Sequence, residues 1–169
     1  MDATALRALQ APLKERYKQD PDAALVTLKA QGAIDDARVA CKVETGRALS
    51  IAGLHPATGG TGAELCSGDM LLEALVACAG VTLKAVATAL EIPLRAGTVR
   101  AEGDLDFRGT LGVDKTAAVG FRAIRLAFEL DTDAPQEMID KLLKLTERYC
   151  VVFQTLAVQP QLSMKAARG

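Results

Sequence analysis

The chain has no tryptophan, and its 169 residues include only two tyrosines, four phenylalanines and one histidine. So few flat side chains leave little for unpaired bases to stack on. Charge of one sign is missing too: 20 Lys and Arg stand against 21 Asp and Glu, a formal net charge of −1. Without a basic field to gather phosphates, nucleic acid is excluded as an expected partner. The four cysteines, Cys41, Cys66, Cys78 and Cys150, show no CxxC or CxxH spacing. Spacing therefore leaves them open as free thiols, redox thiols or buried filler. His55 with Cys66 and Cys78 would make a three-ligand set without recognisable spacing, so neither metal nor organic cofactor is expected. The first residues lack the charged-then-apolar layout of a secretory leader, which points to the cytoplasm. The longest charge-free run of the central apolar segment, Ala74 to Leu83, falls short of the about 20 residues a bilayer span needs, so no membrane segment is expected. Repeats and low-complexity stretches are absent.

Half of the residues are hydrophobic, enough for one domain of this length to bury a core without disulfide staples. Residues 1–169 read as that domain, with 1–20 as a helical extension in which Leu6, Leu9 and Leu13 recur at helical intervals from Thr4 to Tyr17. Alternation then marks strands at Val26 to Ala30, Val39 to Val43 and Ala48 to Leu54, the last two joined by a turn at Thr45-Gly46. His55 to Gly62 is a loop, and its Gly59-Gly60-Thr61-Gly62 lacks the lysine of a phosphate loop, which leaves a flexible cover over the site. A long helix follows, with Ser67 as N-cap, running to about Glu91 before Pro93. Leu72, Val76, Ala79, Leu83, Val86 and Leu90 form its stripe, and Met70, Leu71, Leu75 and Val81 make its first half apolar on nearly every side. A helix of that kind must be wrapped all round, so contact with a second copy is expected.

Val99 to Phe107 and Ile124 to Leu130 alternate as an antiparallel strand pair around a turn at Gly109 to Lys115. Asp133 is then expected to cap a second helix, with Gln136 in the capping-box position. Its stripe of Met138, Leu142, Leu145, Tyr149, Val152 and Leu156 runs on through Cys150. A last strand is expected over Gln161 to Lys165. The class is α+β.

The chemistry turns on thiols. Cys78 lies about three turns into the first long helix, beyond the first-turn reach of its dipole, so a thiolate there requires a cation from elsewhere in the fold. The bland alternative is a small core residue between Ala77 and Ala79. Cys150 carries the same two readings. Asp69 either holds an arginine of the site or simply favours the helix dipole, and Glu73 is either such a partner or an ordinary solvent-facing residue. Cys66, just before the helix, is a candidate second reactive thiol, while Cys41 reads as core.

The segment Asp69-Met-Leu-Leu-Glu-Ala-Leu-Val-Ala-Cys-Ala-Gly-Val-Thr-Leu83, followed after a strand pair by Tyr149-Cys-Val-Val-Phe-Gln-Thr-Leu156, resembles the OsmC/Ohr family of osmotically inducible and organic hydroperoxide resistance proteins. The resemblance covers roughly residues 25 to 165 in element order. It implies antiparallel sheets wrapped around two long central helices in an intertwined homodimer, with sites at the subunit interface. It also implies a peroxidase that reduces organic hydroperoxides, with Cys78 as peroxidatic thiol, Cys150 as resolving thiol and a dithiol of the lipoamide type as reductant. The chain departs from the family pattern in three places. Asp69 stands where a glutamate is usual, Val151 follows the second cysteine where proline is frequent, and neither Arg38 nor Arg47 matches the family's early arginine by motif. The alternative from another class is a non-catalytic dimer of the same fold that binds a small apolar ligand, with both thiols inert.

Overall fold

The longest helix among the described residues is the spine of the fold. The computed structural model describes residues 2–5, 7, 8, 10, 11, 19, 31–34, 40–44, 49–112 and 114–168, and in it helix α1, Ser67–Ala89, carries both core clusters. Strands β1 (Gln31–Ile34), β2 (Ala40–Glu44), β3 (Leu49–Gly53) and β4 (Leu65–Cys66) precede it as one sheet in that order. Strands β5 (Ala96–Asp104) and β6 (Ala123–Asp131) follow as a two-stranded sheet, with a single helical turn, α2 (Phe107–Thr110), between them. Helices α3 (Gln136–Tyr149) and α4 (Val151–Ala157) end the ordered elements. The α+β class expected from the sequence holds.

Buried Leu75, Ala79, Leu83 and Ala87 step by four residues along α1, the spacing that keeps side chains on one helix face. Leu83 and Ala87 pack with Ile92 and Leu142 of α3, while Leu75 and Ala79 pack with Cys150. Phe128 of β6 touches both clusters and joins them into one core layer. Ala79 and Leu83 of the expected stripe are buried and Val86 and Leu90 pack against the core, while Leu72 and Val76 are only half-buried and Leu75 and Ala87 complete the buried row; the far face stays open, with Val81 72% exposed.

Strands β5 and β6 pair antiparallel in full register from Ala96 opposite Asp131 to Asp104 opposite Ala123. Inward residues Val99, Ala101, Ile124, Leu126 and Phe128 join the core. The outward residues make a ladder of ion pairs, with Arg125 on Asp104 and Glu102, Arg100 on Glu129, and Arg95 on Asp131 and Asp133. Phe121 lies over the inner end of β5 because Gly103 leaves it room; a Cβ there would sit 2.4 Å from the ring.

The elements depart from the sequence expectations in ways with physical causes. Ser67 is not the N-cap. Leu65 and Cys66 pair in parallel with Ala52 and Gly53, so the extended conformation an N-cap requires falls on Cys66. That same parallel pair means the first sheet is not wholly antiparallel. Asp133 does not cap α3, because Arg95 takes its carboxylate, and Gln136 bonds forward to Asp140 at 2.7 Å. Pro135 is the N-cap instead. Leu105 and Phe107 lie beyond β5, the latter in α2. Helix α3 does not run through Cys150 but breaks there, at φ −73° and ψ 107°. Gln161 to Lys165 keep their alternation yet form no strand, with Leu162 80% and Met164 97% exposed. The expected strand over Val26 to Ala30 and the Thr45-Gly46 turn lie outside the described residues.

At its far end α1 closes in a Schellman motif: the Ile92 N–H reaches the Ala87 carbonyl at 2.9 Å, and that of Glu91 reaches Thr88 at 3.1 Å. The left-handed position falls on Glu91, at φ 57°, where a side chain costs about 1–2 kcal/mol relative to glycine. Replacing Glu91→Gly forfeits only an exposed ion pair with Arg7, so the variant is expected to gain about 1 kcal/mol in urea unfolding.

Candidate active site

Two long elements far apart in sequence meet at the sulfurs of Cys78 and Cys150. Helix α1 presents Cys78 from its middle, next to the buried residue Ala79, and the α3–α4 junction presents Cys150, 1% exposed, in the same cluster. Cys78 is half-buried and Cys150 fully so.

The junction is built by an interrupted hydrogen-bond ladder. The Cys150 N–H closes α3 on the Thr146 carbonyl at 2.9 Å, and the next rung across the junction runs from the Gln154 N–H to the Cys150 carbonyl, also 2.9 Å. Two consecutive β-branched residues, Val151 and Val152, weaken helical continuity there. The first N–H groups of a helix have no partner of their own. Here they turn to sulfur: those of Val152 and Val151 face the Cys78 thiol, and those of Phe153 and Val152 face Cys150.

The two thiols are shifted in opposite directions. Burial pushes the Cys78 thiol up, but the Val152 N–H, the Cys150 thiol, the Val151 N–H and the Thr82 hydroxyl together outweigh it and leave its pKa below the ordinary thiol value. Burial likewise raises Cys150, and there the neighbouring Cys78 adds to the rise. Of the two, Cys78 is the one that loses its proton first as pH rises. Among the described residues the groups that lower the Cys78 thiol are backbone N–H groups, the Cys150 thiol and the Thr82 hydroxyl, with no cation among them. Thr82, one turn beyond Cys78, was missed in the sequence because it stands among ordinary helix residues. Arg38 and Arg47 lie outside the described residues.

The remaining expected residues fall elsewhere. Asp69 precedes Cys78 by two and a half turns, on the opposite side of α1 and about 13 Å along it. It lines a separate opening with His55, Cys66 and Phe121. Glu73 is exposed, points away from Cys78 by the helical rotation, and makes no ion pair among the described residues. Cys66 and His55 share a cavity of about 380 Å³ with Leu71, Leu105 and Phe107, and Cys78 is not part of it. His55 accepts from the Ala57 N–H at 3.0 Å and stacks on Phe107 at 4.9 Å between ring centroids. Cys41 lies in β2, and its side chain is outside the described residues. The Gly59 to Gly62 loop folds back on its own start, where the Gly60 N–H meets the His55 carbonyl at 3.1 Å. Among the described residues no three His, Cys, Asp or Glu side chains gather to hold a metal.

A second cavity, of about 320 Å³, opens directly on Cys150. Leu126, Phe128, Leu143 and Phe153 wall it, with exposed Lys144 and Glu147 beside them. Such an apolar recess with a polar edge suits a small organic molecule.

The family model for OsmC-like protein matches residues 60–165, which hold both cysteines. Among solved structures, an OsmC-like protein from Mycoplasma pneumoniae aligns at a TM-score of 0.64 and 17% identity, over 78% of this chain and 88% of that one. An organic hydroperoxide resistance protein OsmC from Legionella pneumophila gives 0.61 at 16% identity, over 78% and 91%. An organic hydroperoxide resistance protein from Elizabethkingia anophelis gives 0.60 at 16%, over 78% and 89%. No curated protein matches the chain in sequence. At these identities the likeness is one of fold.

The opposite shifts predict an order of reactivity. With the reduced protein alkylated by iodoacetamide across a pH series, Cys78 should react with a midpoint below that of an ordinary thiol and Cys150 with one above it, read by peptide mass spectrometry. Equal midpoints would remove the asymmetry.

Proposed function

The chain belongs to the OsmC-like protein family, and on that premise we propose that it is a thiol-dependent peroxidase that reduces organic hydroperoxides through Cys78 and Cys150. The observation that carries the reading is the paired thiols of opposite bias, one favoured as thiolate and the other as proton donor.

In the proposed cycle the Cys78 thiolate attacks the outer oxygen of a hydroperoxide. The S–O bond forms, the O–O bond breaks, and the alkoxide leaves as alcohol after taking a proton, for which the Cys150 thiol is the nearest source. Cys78 is now a sulfenic acid. The Cys150 sulfur attacks it, hydroxide leaves as water, and a Cys78–Cys150 disulfide results. A dithiol of the lipoamide type then restores both thiols by exchange and leaves as its own disulfide. The cycle calls on neither metal nor organic cofactor. The apolar recess at Cys150 suits the organic part of the substrate.

A homodimer is part of the proposal. Val81, Tyr149 and Val151 are 72%, 58% and 69% exposed although they lie on the elements that carry the thiols, and a second copy over them would exclude water from the chemistry. Cytoplasm is the proposed setting because it keeps both thiols reduced between turnovers. A second reading, a non-catalytic dimer that binds a small apolar ligand with inert thiols, draws on the larger cavity beside Cys66 and His55.

One experiment separates the two. One equivalent of cumene hydroperoxide added to the reduced protein should remove two free thiols per chain and leave a Cys78–Cys150 link in the peptide map. Cys78→Ser should lower peroxide consumption by at least about 100-fold, as loss of a nucleophile does. Survival of all the thiols would rule out the peroxidase and favour the ligand-binding dimer.

A further inference from the structure

The break at Cys150 leaves a carbonyl without its helical partner, and a side chain fills the vacancy. In a continuous helix the Glu147 carbonyl would accept from the Val151 N–H four residues on. Here that N–H faces the Cys78 sulfur. The Glu147 carbonyl accepts instead from the side-chain amide of Gln154, at 2.9 Å, across the whole junction. Gln154 also anchors α4 through its own N–H on the Cys150 carbonyl, so a single residue ties the start of α4 to both Cys150 and the last turn of α3.

We propose that Gln154 is a positioning residue: by donating to the Glu147 carbonyl it occupies the place the Val151 N–H would take in an unbroken helix, and so keeps the Val151 and Val152 N–H groups on Cys78. Without that amide two competing arrangements gain ground. Either Val151 bonds back to Glu147 and α3 runs on into α4, or the Glu147 carbonyl turns to water and the junction loosens. Both draw N–H donors away from the sulfur. A half-buried glutamine on an amphipathic helix gives no hint of this in sequence, because the role depends on the break.

The proposal rests on the thiolate reading of Cys78, but its test needs no peroxide. The full chain, reduced, is alkylated with iodoacetamide across a pH series, and the midpoint for Cys78 is read by mass spectrometry beside circular dichroism and a thermal melt. Gln154→Met keeps the length and removes the donor. Its Cys78 midpoint should rise by about one pH unit, roughly a tenfold loss of thiolate below the midpoint. Gln154→Asn keeps the amide but falls one methylene short, and should shift the midpoint in the same direction. Thr146→Val serves as the comparison. It removes the buried hydroxyl bond to the Leu142 carbonyl, 2.8 Å, and should lower the melting temperature without moving the midpoint. An unmoved midpoint in folded Gln154→Met and Gln154→Asn would overturn the assignment. So would an equal rise in Thr146→Val, since the effect would then follow general loosening. Wild-type protein with a low Cys78 midpoint but no hydroperoxide consumption would sink the peroxidase and leave the assignment of Gln154 to be decided by its own variants.

Discussion

The unpaired N–H groups at the head of α4 are the interaction on which the site depends. A helix that starts immediately behind a cysteine has donors to spare, and a sulfur carried in from α1 collects them. If α3 and α4 were one helix, those donors would be consumed by carbonyls, and Cys78 would be a thiol in an apolar core with burial as its main influence. The break therefore decides whether the cluster of Leu75, Ala79, Cys78 and Cys150 is packing or chemistry. It acts at short range, through backbone, beside a core in which the described buried residues are otherwise apolar save one bonded threonine.

Helix α1 gives that break something to act on. Its buried row of Leu75, Ala79, Leu83 and Ala87 fixes the rotation of the helix against β5, β6 and α3. Cys78 sits one position from the buried row, so its sulfur is brought to the edge of the core, where it is close enough to meet α4 and open enough to be reached. Ala79 helps by being small. A larger side chain there would push α1 away from Cys150, and close packing leaves no slack to absorb it.

The alternation of β5 and β6, the start and length of α1 and the apolar stripe of α3 up to Leu145 were legible because each rests on a local period that burial enforces. The two thiols were legible as a pair through the family resemblance rather than through spacing. Caps were less so. Asp133 has the composition of an N-cap, yet a strand-end arginine competes for it, and such competition is invisible before the sheet is built. Asp69 and Glu73 stand close to Cys78 in sequence, but helical rotation carries them round to other faces. The break was hidden for a subtler reason. Proline after the second cysteine, frequent in the family, would sit at the first position of a new helix and announce it. This chain has Val151 there and breaks all the same, so the signal is gone while the geometry remains.

The charged outer face of β5 and β6 has a consequence of a different kind. Arg95, Arg100 and Arg125 alternate across the strands with Asp104, Glu129 and Asp131, each pair too exposed to add much stability at room temperature. Their cost in lost hydration falls on heating, because the hydration of charged groups weakens as temperature rises. The same row makes a two-stranded ribbon unattractive to stray extended chains, which would have to strip water from every guanidinium and carboxylate to lie against it.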